Sequence, residues 1–252
     1  LGGGPGTRET AAIAQENLVE QIHAICLSGG SAFGLAAADG VMATLEDRGL
    51  GVPVGPAGVV PVVPAAVIFD LGRAGNARSR PTADFGARAT RNARVRQMRW
   101  GAVGAGAGAR AGGIQGGVGT ASSSVSIGDA TIRVGALAVV NSAGSVTDPG
   151  TGLPWELCGL RLRRPTGTER TELERWRVGP ATPLLNTTIG VVATDADLTK
   201  SEVSKMSAVA HDGLARAIRP AHSMFDGDTV FGLASGLTPL PDGEMTFGEV
   251  AS

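Results

Sequence analysis

The chain has 252 residues, 42% hydrophobic and 18% charged, enough apolar content for a buried core and too much for global disorder. Its formal net charge is −1, with no basic block and no acidic tail, so it lacks the footprint of a nucleic-acid binder, and no run of about 18 apolar residues offers a membrane span. Glycine accounts for 39 residues, roughly twice the ordinary ~7%, which calls for many tight turns and close backbone approaches.

LGGGPGTRE opens the chain as a glycine loop. It begins without an initiator Met, so an upstream segment is expected; no signal peptide is visible, and a cytoplasmic location is the expectation. IHAICL (22–27) reads as a short buried strand, SGG (28–30) as a turn, and 31–49 as an Ala-rich helix ending at Gly49. The prolines in 59–71 disfavour a central ladder, so its strand is expected only from Ala65. Residues 80–98 read as a polar helix and 101–124 as a long glycine-rich loop. Residues 132–148 suggest a strand, a turn at Ser142–Gly144 and a second short strand. The segment 150–183, with Trp155, Trp176 and four prolines, reads as mostly exposed, with one helical stretch at TELERW.

TTIGVVAT (187–194) is a strand. Thr199 and Glu202 have capping-box spacing, and Val203, Met206, Ala210, Leu214 and Ile218 share one helical face before Pro220 stops the helix. Residues 228–235 form the last strand. Strands and helices mix without strict βαβ alternation, and no internal repeat is present.

Familiar chemical signatures fail on inspection. GAVGAGAG has glycine spacings of a dinucleotide loop, but glycines continue to Gly119 and no helix follows. SGGSAFG does not satisfy the nucleophile-elbow pattern. Cys26 and Cys158 make neither a metal pair nor a disulfide framework, and Cys26 reads as a buried thiol. His23, His211 and His222 lack metal spacing, and His211, on a helix, reads as a packing or capping residue.

Asn186-Thr187-Thr188 remains, directly ahead of a buried strand. Three readings compete. It matches the glycosylation sequon, but a strand entrance is a poor acceptor site. It can be a plain polar strand opening. Or a threonine hydroxyl can attack the carbonyl before it, turning the peptide bond into an ester that water hydrolyses. That leaves an N-terminal threonine whose α-amine, with a pKa of about 7.7–8, serves as base for its own hydroxyl. No catalytic histidine is then required.

Phe225–Thr229, FDGDT, is a turn or an extended carboxylate pair; Asp226 and Asp228 could orient the ammonium and hydroxyl of Thr187. It lacks the EF-hand frame. Asn141, closing VGALAVVN, is a turn residue or an amide donor to an oxyanion.

Taken together, GGGPGTRET, HAICLSGGSAFGLAAADGVM, VPAAVIFDLG, GAVGAGAGA, GGVGTAS, VGALAVVN, NTTIGVVATDADLTK and AHDGLARAIRPAHSMFDGDTVF span nearly the whole chain. In them the chain resembles the DmpA family of self-processing hydrolases, which includes L-aminopeptidase/D-amidase-esterases, β-aminopeptidases and the nylon-oligomer hydrolase. The resemblance implies an α+β fold, a four-layer αββα sandwich of the type shared with ornithine acetyltransferase. It implies one hydrolase domain over 1–252, self-cleaved between Asn186 and Thr187 into 1–186 and 187–252, which stay paired and assemble as a homo-oligomer.

The resemblance makes Thr187 nucleophile and base, Asp226 and Asp228 its orienting partners, and Asn141 an oxyanion or substrate-orienting residue. Phe69 stands where some relatives have a pocket tyrosine. Relatives often carry a lysine near the end of the glycine-rich loop, where this chain has AGG (111–113); Arg110 is the candidate replacement if Gly113 is that position. Relatives also extend upstream of GGGPG. No cofactor, metal, nucleic acid or membrane is implied. The expected substrate is a small amide or an N-terminal peptide bond. The alternatives are an acyltransferase of the same fold and a self-cleaving protein that only binds.

Overall fold

The β-branched run behind Asn186 lies in the interior of the principal sheet. The computed structural model of the protein describes residues 1–73, 75–95, 98–177 and 185–240, and all elements named below belong to these described residues. In chain order they are β1 (Thr7–Arg8), β2 (Cys26–Ser28), a 3-10 stretch Ser31–Ala36 running into α1 (Ala37–Glu46), β3 (Val52–Pro53), β4 (Val59–Val60) and β5 (Ala65–Val67). Then come α2 (Ala83–Asn92), β6 (Arg110–Ala111), β7 (Ile114–Gln115), β8 (Gly117–Ile127), β9 (Ala130–Val140) and α3 (Gly167–Arg177). The chain continues with β10 (Ile189–Ala196), α4 (Lys200–Ala217) and β11 (Thr229–Thr238). The class is α+β.

The principal sheet has the order β11-β10-β9-β8, and a smaller one the order β1-β5-β2. β10 runs parallel to β11 and antiparallel to β9, so it is paired on both edges. Side chains alternate across a strand. On one face Ile189 of β10, Val139 of β9 and Phe231 of β11 cluster with Ala66 of β5, Ile68 and Ala109, which joins the two sheets. On the opposite face α4 crosses β11 at Gly232, where a Cβ would lie 2.6 Å from the Val203 carbonyl oxygen. The far side of the smaller sheet takes Ala37, Ala38, Val41 and Leu45 of α1 against Cys26, Val63 and Ala65. Burial pushes the Cys26 thiol up to about 11, so it packs as an uncharged side chain at neutral pH.

Two glycines explain how α1 and α2 meet. A Cβ on Gly40 would sit 1.7 Å from the Ala83 carbonyl oxygen, and one on Gly86 would sit 1.8 Å from that of Ala37. The helices touch backbone to backbone, which any larger residue would prevent.

The capping box of α4 is present: Glu202 N–H donates to Thr199 Oγ1 at 3.3 Å, and Thr199 N–H donates to Glu202 Oε2 at 2.8 Å. Met206 is buried on the expected face; α4 ends at Ala217, so Ile218, also buried, lies just past the helix in extended conformation. The strand expected from Ala65 also forms.

Several expectations are corrected. Much of the glycine-rich stretch 101–124 is ordered strand, because β8 pairs with β9 over the full register Gly117↔Val140 to Ile127↔Ala130. Backbone pairing there overrides a composition of Gly, Ser and Thr. Residues 145–148 make no second strand, only isolated bridges from Ser145 to Arg219 and from Thr147 to Pro154. The first buried strand occupies Cys26–Ser28 rather than 22–27. The helix at TELERW is longer, Gly167–Arg177, and buries no residue; residues 178–183 of the expected exposed segment lie outside the described residues. None of the described helices is long and apolar enough to cross a membrane.

Candidate active site

The two ladders of β10 continue past the strand and hold the Asn186–Thr187 peptide bond from both sides. On the β9 side, Thr187 N–H donates to the Asn141 carbonyl at 2.7 Å, extending the register that pairs Ile189 with Val139. On the β11 side, Thr229 N–H donates to the Thr188 carbonyl at 3.0 Å, Gly227 N–H to the Asn186 carbonyl at 3.2 Å, and Asn186 N–H to the Phe225 carbonyl at 3.2 Å. Exposure falls along the entering chain, from 45% at Leu185 to 4% at Thr187 and 0% at Thr188.

The Thr187 hydroxyl turns back onto the residue before it and donates to the Asn186 carbonyl oxygen at 2.5 Å. That oxygen therefore receives two donors, the hydroxyl and Gly227 N–H. A nucleophile resting on the carbonyl it can attack, with an N–H aimed at the oxygen where charge would collect, is a starting geometry for an acyl shift.

Asp226 and Asp228 are 2% and 3% exposed, and both are fully engaged. Asp226 accepts from Ser223 Oγ at 2.6 Å, Ser223 N–H at 3.1 Å and Ala143 N–H at 3.3 Å. Asp228 accepts from Thr188 N–H at 2.7 Å through Oδ1, while its Oδ2 meets His222 Nδ1 at 2.7 Å and His222 N–H at 3.2 Å. These carboxylates thus hold the residue after Thr187 and the loop around it; among the described contacts neither hydrogen-bonds Thr187 itself. The opening loop lies on this turn: Gly4 N–H donates to the Asp226 carbonyl at 2.9 Å, and a Cβ on Gly227 would come within 2.3 Å of the Gly4 carbonyl oxygen.

Asn141 is completely buried. Its Oδ1 accepts from the Arg73 guanidinium and from Arg110 N–H at 3.0 Å, and its Nδ2 donates to the Phe69 carbonyl at 3.3 Å. Phe69 and Arg110 thus reach the site through backbone atoms. The cation on the Asn186 side chain is Arg73, whose Nη2 donates to Asn186 Oδ1 at 2.9 Å and to the Leu185 carbonyl at 3.3 Å. Burial, then the nearby Arg110, push the Arg73 pKa down, and Asp70 opposes them. Gly113 offers no room for a cation: its φ is +89°, and a Cβ there would lie 2.8 Å from the Trp176 carbonyl oxygen of α3.

Sequence reasoning misses two residues. One is Arg73, which directly follows the VPAAVIFDLG segment and is one arginine among many. The other is His222, which stacks edge-on to His211 with ring centroids 5.0 Å apart. His211 is the packing residue expected, and burial pushes its pKa down to about 4, so it is neutral at pH 7. Among the described residues no three His, Cys, Asp or Glu side chains converge as a metal site would need.

A model of the family described as peptidase family S58 matches residues 1–250. An uncharacterized aminopeptidase of Mycobacterium bovis is 51% identical over 245 residues, covering 95% of this chain and 70% of that protein. A 6-aminohexanoate-oligomer endohydrolase of Kocuria sp. is 30% identical over 228 residues, 87% of this chain and 62% of that protein. Among solved structures, the L-aminopeptidase D-Ala-esterase/amidase of Ochrobactrum anthropi, described as a variant of the Ntn hydrolase fold, superposes with a TM-score of 0.57 at 23% identity, over 80% of this chain and 51% of that one. This last likeness is one of fold.

Proposed function

We propose that this chain, which belongs to peptidase family S58, is a self-cleaving N-terminal-threonine amidohydrolase. Its family and relatives make it a hydrolase of peptide or amide bonds; the nucleophile and the self-cleavage are our reading. In the first step Thr187 Oγ bonds to the Asn186 carbonyl carbon, the Asn186–Thr187 C–N bond breaks, and the hydroxyl proton passes to the departing nitrogen. Water then hydrolyses the ester, leaving an Asn186 carboxylate and a free Thr187 α-amine.

In turnover that amine accepts the Thr187 hydroxyl proton as Oγ attacks a substrate amide, and passes it to the leaving amine. Water releases the acyl group and restores the hydroxyl. Asp228, through Thr188 N–H, and Asn141, through Thr187 N–H, hold the nucleophile's backbone in place. Asp226 orders the loop that carries the Gly227 donor. The pairing of β10 with β9 and β11 supports the expectation that 1–186 and 187–252 remain one unit after cleavage. The helix–sheet–sheet–helix packing supports a four-layer αββα sandwich, and we take the mature form to be a homo-oligomer of such pairs.

The observation that carries this reading is the Thr187 hydroxyl seated on the Asn186 carbonyl. Intact mass spectrometry of the purified protein tests it: two masses dividing at 186/187 are expected, and a persistently single chain without amidase activity overturns it.

A further inference from the structure

On the self-cleavage reading, Asn186 is the first acyl group Thr187 receives. The ester of self-cleavage and the ester of any later turnover form on the same Oγ, so the contacts of Asn186 mark where a substrate's acyl residue lies. This substrate preference rests on the amidohydrolase reading and narrows it.

Three contacts of Asn186 bear on recognition. Its carbonyl oxygen takes Gly227 N–H at 3.2 Å. Its nitrogen donates to the Phe225 carbonyl at 3.2 Å. Its side-chain oxygen takes the Arg73 guanidinium at 2.9 Å. Asn186 is half-buried and Leu185 just ahead of it is 45% exposed, so the place lies towards the surface.

Arg73 does not stand there by chance of a mobile surface chain. It is half-buried, its second arm donates to the Oδ1 of fully buried Asn141, and Asn141 in turn holds Thr187 N–H. A guanidinium so fixed is a preorganised donor to a planar oxygen pair. Arg110 is a second cation nearby and Asp70 a single opposing carboxylate, so the surroundings of this place are net positive.

The geometry points to amides of N-terminal aspartyl and asparaginyl residues as the substrate class, with Arg73 as the specificity-determining residue. The substrate's α-ammonium takes the position of the Asn186 nitrogen and donates to the Phe225 carbonyl. Its side-chain oxygen replaces Asn186 Oδ1 on Arg73. An aspartyl carboxylate makes a charge-assisted pair with the guanidinium. A cationic side chain is rejected by like charge. The reaction forms the Thr187 Oγ–acyl bond, breaks the substrate C–N bond and sends the hydroxyl proton through the Thr187 amine to the leaving amine; water then releases free aspartate or asparagine.

The test is kcat/KM on the 4-nitroanilides of Asp, Asn, Leu and Lys with the cleaved protein. We expect Asp above Leu by about tenfold or more, the range of one charge-assisted hydrogen bond, and Lys lowest. Arg73→Gln should bring the Asp/Leu ratio towards one, and Arg73→Lys should retain part of it. The ratio is taken within each preparation, so a smaller folded fraction does not alter it. Should Arg73→Gln fail to fold or to cleave itself, the parental ranking and Arg73→Lys decide. Hydrolysis by a cleaved parent with Leu equal to or above Asp, or an Asp/Leu ratio unmoved by Arg73→Gln, overturns this inference and leaves the amidohydrolase reading standing. An uncut, inactive chain overturns both.

Discussion

Thr188 donates its backbone N–H to Asp228 Oδ1 at 2.7 Å, while Oδ2 of the same carboxylate meets the His222 ring at 2.7 Å. One side chain thus ties Thr188 to a histidine that itself packs on α4 through His211. Asp228→Asn keeps the shape but turns one acceptor oxygen into an NH2 group, so either Thr188 N–H or His222 N–H must lose its acceptor. Asp226→Asn does the same to the Ser223 and Ala143 contacts. Each variant should keep a parental circular-dichroism spectrum and lose turnover on the order of 10²-fold, as misplacement of a reacting group does. Parental rates from both variants would reduce FDGDT to a structural turn.

Gly227 carries two demands: its N–H holds the Asn186 carbonyl, and its α-carbon faces the Gly4 carbonyl. A Cβ at 2.3 Å from that oxygen cannot be accommodated without backbone movement. Gly227→Ala should destabilise the fold by about 1–3 kcal/mol, the usual cost of overpacking, and slow self-cleavage more than it lowers Tm. A thermal melt and a time course of chain cleavage on the same preparation separate the two effects. Cleavage at the parental rate would show that self-cleavage does not depend on the exact placement of the Gly227 backbone.

Much of this site is legible in residue types alone, because its parts are local. The hydroxyl and the carbonyl it rests on are adjacent residues, the capping box is four residues long, and Asp226 and Asp228 bracket one glycine. What escapes is non-local. Arg73 meets Asn186 across more than a hundred residues, and nothing in GRAGNARSR distinguishes it from the arginines around it. β8 escapes for a related reason: its glycines and serines carry no strand propensity, and only pairing with β9 along its whole length makes it a strand. His222 escapes because its partner, Asp228, lies across a turn whose shape the spacing alone does not set.

His211 gives a pH dependence whose sign can be worked out. In the unfolded chain it takes up a proton below about 6.5, whereas burial holds it neutral in the folded protein until about 4. Between those values the unfolded state binds more protons, so folding stability falls as pH drops through that window. Urea midpoints at pH 7, 5.5 and 4.5 should decline more steeply for the parent than for His211→Gln, which has no proton to gain. Parallel curves for the two proteins would remove His211 as the source.

Thr187 should be both the cutting and the catalytic residue. Its hydroxyl lies 2.5 Å from the carbonyl oxygen ahead of it, and its N–H is held by Asn141, so the attacking group is fixed before any chemistry begins. Thr187→Ala removes that hydroxyl and keeps the backbone bonds on both sides; it should give one intact chain that folds and hydrolyses nothing. Thr187→Ser keeps the hydroxyl but loses the methyl that restricts its rotation, so both self-cleavage and turnover should persist at reduced rates. Thr188→Ala is the control next door. The Thr188 Oγ1 is buried and without a hydrogen-bond partner among the described residues, and only its backbone N–H serves Asp228, so cleavage should survive that change. Edman sequencing of the smaller parental chain should read Thr-Thr-Ile-Gly. A Thr187→Ala chain that still divides at 186/187 would mean that another group attacks this bond, and Thr187 would then be no more than the polar residue at the mouth of β10.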